Sequence, residues 1–218
     1  MLSYQIMSRF CRAASILEDT CDLHVIAAVS DGAPSNRSFF KMHKQMSRID
    51  SEVVYRTENI FHPGRYIWFF ADAPHLMKTA RNCVYHSGNG KHTRLLWNDG
   101  KEIVWKHFIK IVDGQLSLKF MVKLTEEHIR LNPYSAMNVR FATQILSESV
   151  GKILYQRYPE AHATAELCIK MDKFFDILNV RNETEGERKR KIFLNPFRSV
   201  DDERFSWLEN EFLRFLEN

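Results

Sequence analysis

Two short apolar runs interrupt a largely helical pattern, and each ends on an aspartate. Residues 24–30 (HVIAAVS) reach Asp31 and then Gly32-Ala33-Pro34, and residues 66–71 (YIWFFA) reach Asp72 and then Ala73-Pro74. Runs of this length, rich in β-branched and aromatic residues and stopped by Gly or Pro, predict buried strands. Elsewhere the apolar period is helical. Leu2, Ile6, Phe10, Ala13, Ala14, Ile16 and Leu17 mark a helix over 2–19. Further helices are expected over 35–47 and 74–85, and residues 51–55 read as a short edge segment. The order strand, helix, strand, helix predicts an α/β layer. A polar, glycine-containing break at 86–91 (HSGNGK) then ends it, so the expected domains are 1–86 and 92–218.

Beyond the break the pattern is mainly α. Trp105, Phe108, Ile109 and Val112 form an amphipathic patch, and Thr125 stands as an N-cap before Glu126-Glu127-His128. Val139, Ala142, Ile145, Leu146, Val150, Ile153 and Leu154 predict one long helix over 136–158. Residues 161–178 form another, and 200–216 a final acidic amphipathic helix. No internal repeat is present. The apolar period begins almost at Met1 without a clear cap, which suggests a helix whose upstream context is missing.

Composition narrows the class. The 218 residues carry a net charge of +4, unevenly spread. Residues 201–218 hold six acidic and two basic side chains, which leaves +8 on residues 1–200. That surplus is compatible with a nucleic-acid partner without establishing one. Cys11, Cys21, Cys83 and Cys168 show no zinc-site or disulfide spacing, so reduced thiols in an intracellular compartment are expected. No signal peptide and no apolar run of membrane-spanning length is found.

The candidate chemistry lies on a few carboxylates. Asp31 and Asp72, 41 positions apart, each stand at the carboxyl end of an expected strand, where ligands collect in open α/β sheets. Asp31 suits a divalent-metal carboxylate, although spacing alone favours an Asp-Gly turn. Asp72 reads better as the cap of the helix that Pro74 begins. His75, Lys78 and Arg81 repeat at spacing three, a face open to phosphate or simply to solvent. In FDILN, Asp176 and Asn179 lie three apart at a helix end. They suit guanine, whose N1–H and 2-amino group a carboxylate accepts, although a helix ending on a left-handed Asn cap explains the pattern without a ligand. Arg188-Lys189-Arg190-Lys191 reads as a solvated charged loop before a nucleic-acid patch or targeting signal. No GxxxxGK[ST] string occurs.

The strings VIAAVSDGAPSNRSFF, WFFADAPHLMKTARN, LTEEHIRLNPYSAMNVRFATQILSESV and DKFFDILNVRN, in that order, resemble the P element transposase family, which includes the THAP-domain transposase-like proteins. The resemblance runs from about residue 5 to residue 215. It implies a partial ribonuclease-H-like domain over 1–86 and a helical GTP-binding insertion over 92–218. It implies Asp31 as a catalytic, Mg²⁺-binding carboxylate, Asp176 and Asn179 as the guanine-reading pair, and Lys123 near the nucleotide phosphates. Ala136 stands where the family commonly has a lysine. The first aspartate and the last glutamate of the family's catalytic set have no counterpart in this sequence, nor does its zinc-coordinating DNA-binding domain. The resemblance further implies a nuclear protein acting on transposon-end DNA, with GTP as an organising cofactor and no membrane role. The expectation is a piece of a transposase, inactive in strand transfer by itself. The alternatives are a domesticated GTP-binding module without catalysis and a basic DNA-binding accessory. An incomplete sheet is also expected to expose apolar surface and to favour aggregation or self-association.

Overall fold

The computed structural model describes residues 2–48, 53–88, 94–114 and 123–217. It comprises two compact units, Met1–Leu76 and Met77–Asn218. The expected edge segment at 51–55 and the break at 86–91 each fall partly outside the described residues.

In the first unit, helix α1 (Ser3–Ser15) widens into a π-type turn over Ile16–Thr20. Strand β1 (Ala27–Ser30), helix α2 (Pro34–Met42), strand β2 (Arg56–Glu58) and strand β3 (Tyr66–Ala71) follow, and helix α3 (Ala73–Tyr85) starts at its end. β3 is central, parallel to β1 and antiparallel to β2, with Ala28 opposite Phe69 and Thr57 opposite Ile67. A parallel pair needs a crossover, and α2 lies on that connection. Pro34, with its preset backbone angle, begins α2 without wasting a hydrogen-bond donor.

The side chains of β3 alternate. Ile67 and Phe69 are buried, whereas Trp68 and Phe70 are exposed. On the buried face Phe40 stacks on Phe69 at 4.4 Å and Phe10 meets Phe39 edge-on at 5.2 Å. The apolar runs predicted strands buried throughout, and here the structure differs. Val29 is 66 % exposed and Phe70 54 %. The helices α1 and α2 supply partners for one face only, so alternate residues of each run remain in water. The strand expected at 24–30 is also shorter, because only residues 27–30 pair in register with β3.

The second unit contains a β-hairpin that the periodicity did not reveal, β4 (Trp97–Asn98) with β5 (Lys101–Glu102). Asp99 and Gly100 both adopt positive φ, 48° and 73°. That is the backbone a two-residue hairpin turn of matching twist requires, and Asn-Asp-Gly was its sequence signal. Helices α4 (Lys106–Asp113), α5 (Glu126–Ile129), α6 (Pro133–Met137), α7 (Val139–Ile145), α8 (Glu148–Arg157) and α9 (His162–Leu178) come next. Short helices α10 (Glu185–Lys189), α11 (Glu203–Trp207) and α12 (Arg214–Glu217) complete the unit, the last two joined by a π-type turn. Thr125 occupies the N-cap of α5 as expected, and its N–H donates to His128 Nδ1 at 3.1 Å.

The single helix expected over 136–158 is three helices. Asn138 accepts from the Phe141 N–H at 3.2 Å, and Ser147 Oγ accepts from the Val150 N–H at 3.4 Å. Each side chain satisfies a helix start, so the backbone turns where the apolar period alone continues. The core gathers Phe108, Ile145, Leu146, Leu154 and Cys168, all fully buried. Arg81 departs from the solvated face suggested by its spacing. It is fully buried, and its Nη2 donates to the carbonyls of Ser135 at 3.1 Å and Ala136 at 2.8 Å. The guanidinium therefore caps the carboxyl end of α6 and is removed from any phosphate role at the surface.

Candidate nucleotide site

Helix α9 ends at Leu178, and Asn179 is its C-cap, donating its N–H to the Phe175 carbonyl at 2.9 Å. Its φ is −115°, so the left-handed cap considered from the sequence does not occur. The following segment is held by buried Glu185, which accepts from the Arg181 N–H at 3.0 Å and from Lys189 Nζ at 2.6 Å. Arg190 then takes a left-handed conformation, φ 53°, and ends α10. That reversal returns Lys191 to α9. A Cβ added at Gly186 would press on the Asn195 side chain and lie 3.0 Å from the Lys191 carbonyl oxygen, so the small residue leaves room for the returning chain.

Lys191 Nζ sits between two carboxylates one helical turn apart. It donates to Asp176 Oδ2 at 2.6 Å and to Asp172 Oδ2 at 3.0 Å. Burial pulls the Lys191 ammonium down, but Asp176 and Asp172 outweigh it and hold the group above its ordinary value. Burial pushes the Asp172 carboxyl up, and Lys191 draws it only partly back. Two half-buried acids thus share one cation. The charged run 188–191 is accordingly not a uniform solvated loop, since its last residue is built into the unit.

These groups line a groove of about 300 Å³ with Arg190, Lys173 and Phe193. Lys173 Nζ lies 4.2 Å from the ring centroids of both Phe193 and Trp207, a cation held over two aromatic faces. The groove brings together the carboxylates of Asp176, Asp172 and Glu148, one of them suited to a base edge, cations suited to phosphate and the half-buried ring of Phe193. Of the nucleotide-site residues expected from the sequence, Asp176, Asn179 and Lys123, it contains Asp176 alone, together with Arg190 and Lys191 of the charged run. Asn179 is half-buried next to it in sequence but outside its lining, and Lys123 is exposed on irregular backbone ahead of α5. Lys191 was read only as part of a solvated charged run, and Asp172 and Lys173 were missed. The Asp-x-x-x-Asp spacing of 172 and 176 was the available signal, but nothing in the sequence placed a lysine 15 residues later between them.

Asp31 lies at the end of β1, exposed. Its Oδ1 accepts from the Ala33 N–H at 2.9 Å and from Asn36 Nδ2 at 2.7 Å, which braces the turn into α2. Asp72 caps α3, accepting from the His75 N–H at 3.0 Å. Among the described residues no three His, Cys, Asp or Glu side chains gather as a metal site. The acids described therefore do not fit a two-metal centre by themselves.

A polar groove inside a helical unit, fed by a helix that ends on Asp-Ile-Leu-Asn, is the class of site expected of a nucleotide-binding insertion. Residues 74–191, more than half the chain, match the family of TNP-like GTP-binding insertion domains, and the chain belongs to that family. It is 26% identical over 173 residues to the transposable element P transposase of Drosophila melanogaster, an alignment covering 74% of this chain and 21% of that protein. The chain thus spans about a fifth of that relative's length. The solved Drosophila P element transposase strand transfer complex shares its fold, with a TM-score of 0.66 and 22% identity over 88% of this chain and 43% of that one. No described helix is long and apolar enough to cross a membrane.

Proposed function

We propose that this chain is the nucleotide-binding part of a P-element-type DNA transposase, joined to part of its ribonuclease-H-like layer. In this reading residues 92–218 bind GTP. Asp176 and Asn179 read guanine, Lys123 approaches the phosphates, and the nucleotide organises the protein without serving as fuel. Residues 1–86 contribute to the catalytic layer, and Asp31 is the one Mg²⁺ carboxylate that they supply to a larger set. DNA strand cleavage and transfer then belong to a longer, nuclear protein acting on transposon ends. The parallel β1–β3 pair with its α2 crossover supports the layer, and a self-associated form would fit the exposed sheet face.

The observation that carries the reading is Asp176, fixed by Lys191 in an open groove of a family whose description is GTP-binding. Calorimetric titration of the chain with GTP and with ATP tests it. GTP is expected to bind at least tenfold more tightly, and Asp176→Ala to remove that preference, the loss of a charged, bidentate acceptor being worth about 1.5–3 kcal/mol. Equal affinity for the two nucleotides would overturn it. For the DNA role, affinity for a duplex should fall steeply with added salt, with a slope that counts the phosphates contacted.

A further inference from the structure

We infer that Lys191 is a second guanine-reading residue, donating to O6 of the base while Asp176 accepts from N1–H and the 2-amino group. This rests on the GTP-binding reading above. An ammonium has three N–H donors and no acceptor. In Lys191 two are directed at Asp172 and Asp176, at 3.0 and 2.6 Å, which leaves one for the groove that all three residues line. The carboxylate of Asp176 has lone pairs to spare, so it keeps Lys191 while accepting from a base.

Side by side, Lys191 and Asp176 therefore present a donor followed by two acceptors. The Watson–Crick edge of guanine presents the complement in the same order: the O6 acceptor, then the N1–H and 2-amino donors. Adenine reverses the first two positions, placing its 6-amino donor against the ammonium and its N1 lone pair against the carboxylate. The pair thus selects guanine by attraction and rejects adenine by repulsion at two adjacent positions. Asp172 has a positioning part, because it holds the ammonium from the far side. Arg190, in its left-handed conformation, and Gly186, which admits the returning chain, set where Lys191 arrives.

The test uses the whole chain and three nucleotides, with dissociation constants read by calorimetry. 6-Thio-GTP keeps N1–H and the 2-amino group but replaces O6 by a weak acceptor, whereas ITP keeps O6 and N1–H but lacks the 2-amino group. The unaltered chain is expected to favour GTP over 6-thio-GTP by about tenfold. In Lys191→Met that ratio should collapse to within about twofold, while the GTP to ITP ratio persists. Asp176→Asn should do the reverse, losing discrimination against ITP, and Lys191→Arg should restore preference for GTP over 6-thio-GTP. Equal binding of GTP and 6-thio-GTP by the unaltered chain overturns the inference without any variant. So does a Lys191→Met chain whose ratio stays at the original value. Those results leave GTP binding itself standing, whereas failure of the unaltered chain to bind GTP at all removes both readings.

Discussion

Glu18 shows how one side chain fixes the first unit. Its carboxylate is fully enclosed on the π-type turn Ile16–Thr20 and accepts from the Val25 N–H at 2.9 Å, Asn59 Nδ2 at 2.7 Å and Arg65 Nη2 at 2.7 Å. His62 Nε2 stands 3.1 Å away. Burial pushes the carboxyl up, but those bonds and the guanidinium outweigh it and hold the group at about 2, below its ordinary 4.5. A carboxyl depressed in the folded state contributes stability that is present above its unfolded value and lost as pH falls through the folded one. The first unit should therefore lose stability between pH 4.5 and about 2. Glu18→Gln should lower the melting temperature at neutral pH and flatten the acid slope, which melting curves across that range will show. An unchanged slope would assign the acid sensitivity to other groups. None of this was legible in the sequence, because the partners of Glu18 lie 7, 41 and 47 residues away and no local spacing announces them.

Among the elements, helix existence was legible and helix breaks were not. The strand at 66–71 and the helix at 161–178 stand within a residue of their expected limits, the first because Asp72-Ala73-Pro74 stops its apolar run, the second because a helical period survives in it. The run 136–158 kept its apolar period through Asn138 and Ser147, and only their capping bonds show that the chain turns there. Asn138→Ala should accordingly cost about 1 kcal/mol, the value of a lost N-cap, in urea unfolding of the second unit. The contact of α8 with α9 depends on a different detail. A Cβ on Gly151 would lie 2.7 Å from the Ala165 carbonyl oxygen and 2.7 Å from Ile169 Cγ1. Gly151→Ala gains helix propensity and yet is expected to destabilise by about 1–3 kcal/mol, because backbone on α9 cannot move aside as a flexible side chain can. A stabilised variant would mean that the two helices separate without loss. The groove follows the same rule: helix α9 and its Asp176 were read from the sequence, while the return of Lys191 depends on the space beside Gly186 and the left-handed conformation of Arg190.

At the scale of the molecule, two separate cores predict two separate responses. The first unit is packed around Phe39, Val54 and Phe69, and its sheet leaves Val29 and Phe70 in water. The second buries a far larger set around Phe108, Ile145 and Leu154. Apolar burial is the dominant favourable contribution to folding, so the second unit should be the more stable. Urea unfolding followed by tryptophan fluorescence can separate them, since Trp68 belongs to the first unit while Trp97, Trp105 and Trp207 belong to the second. A ligand that binds only the folded form stabilises the unit that holds its site. GTP at about a hundredfold excess over its dissociation constant should therefore add about 2.7 kcal/mol to the second transition and leave the first in place. Acidification from pH 4.5 should act in the opposite sense, moving the Trp68 transition through Glu18. At the same GTP concentration, Lys191→Met should reduce that shift to about 1.4 kcal/mol, the value for a tenfold weaker site, without moving the Trp68 transition. A GTP-induced shift confined to the first transition would place the nucleotide away from Asp176. That outcome would overturn the assignment of the groove.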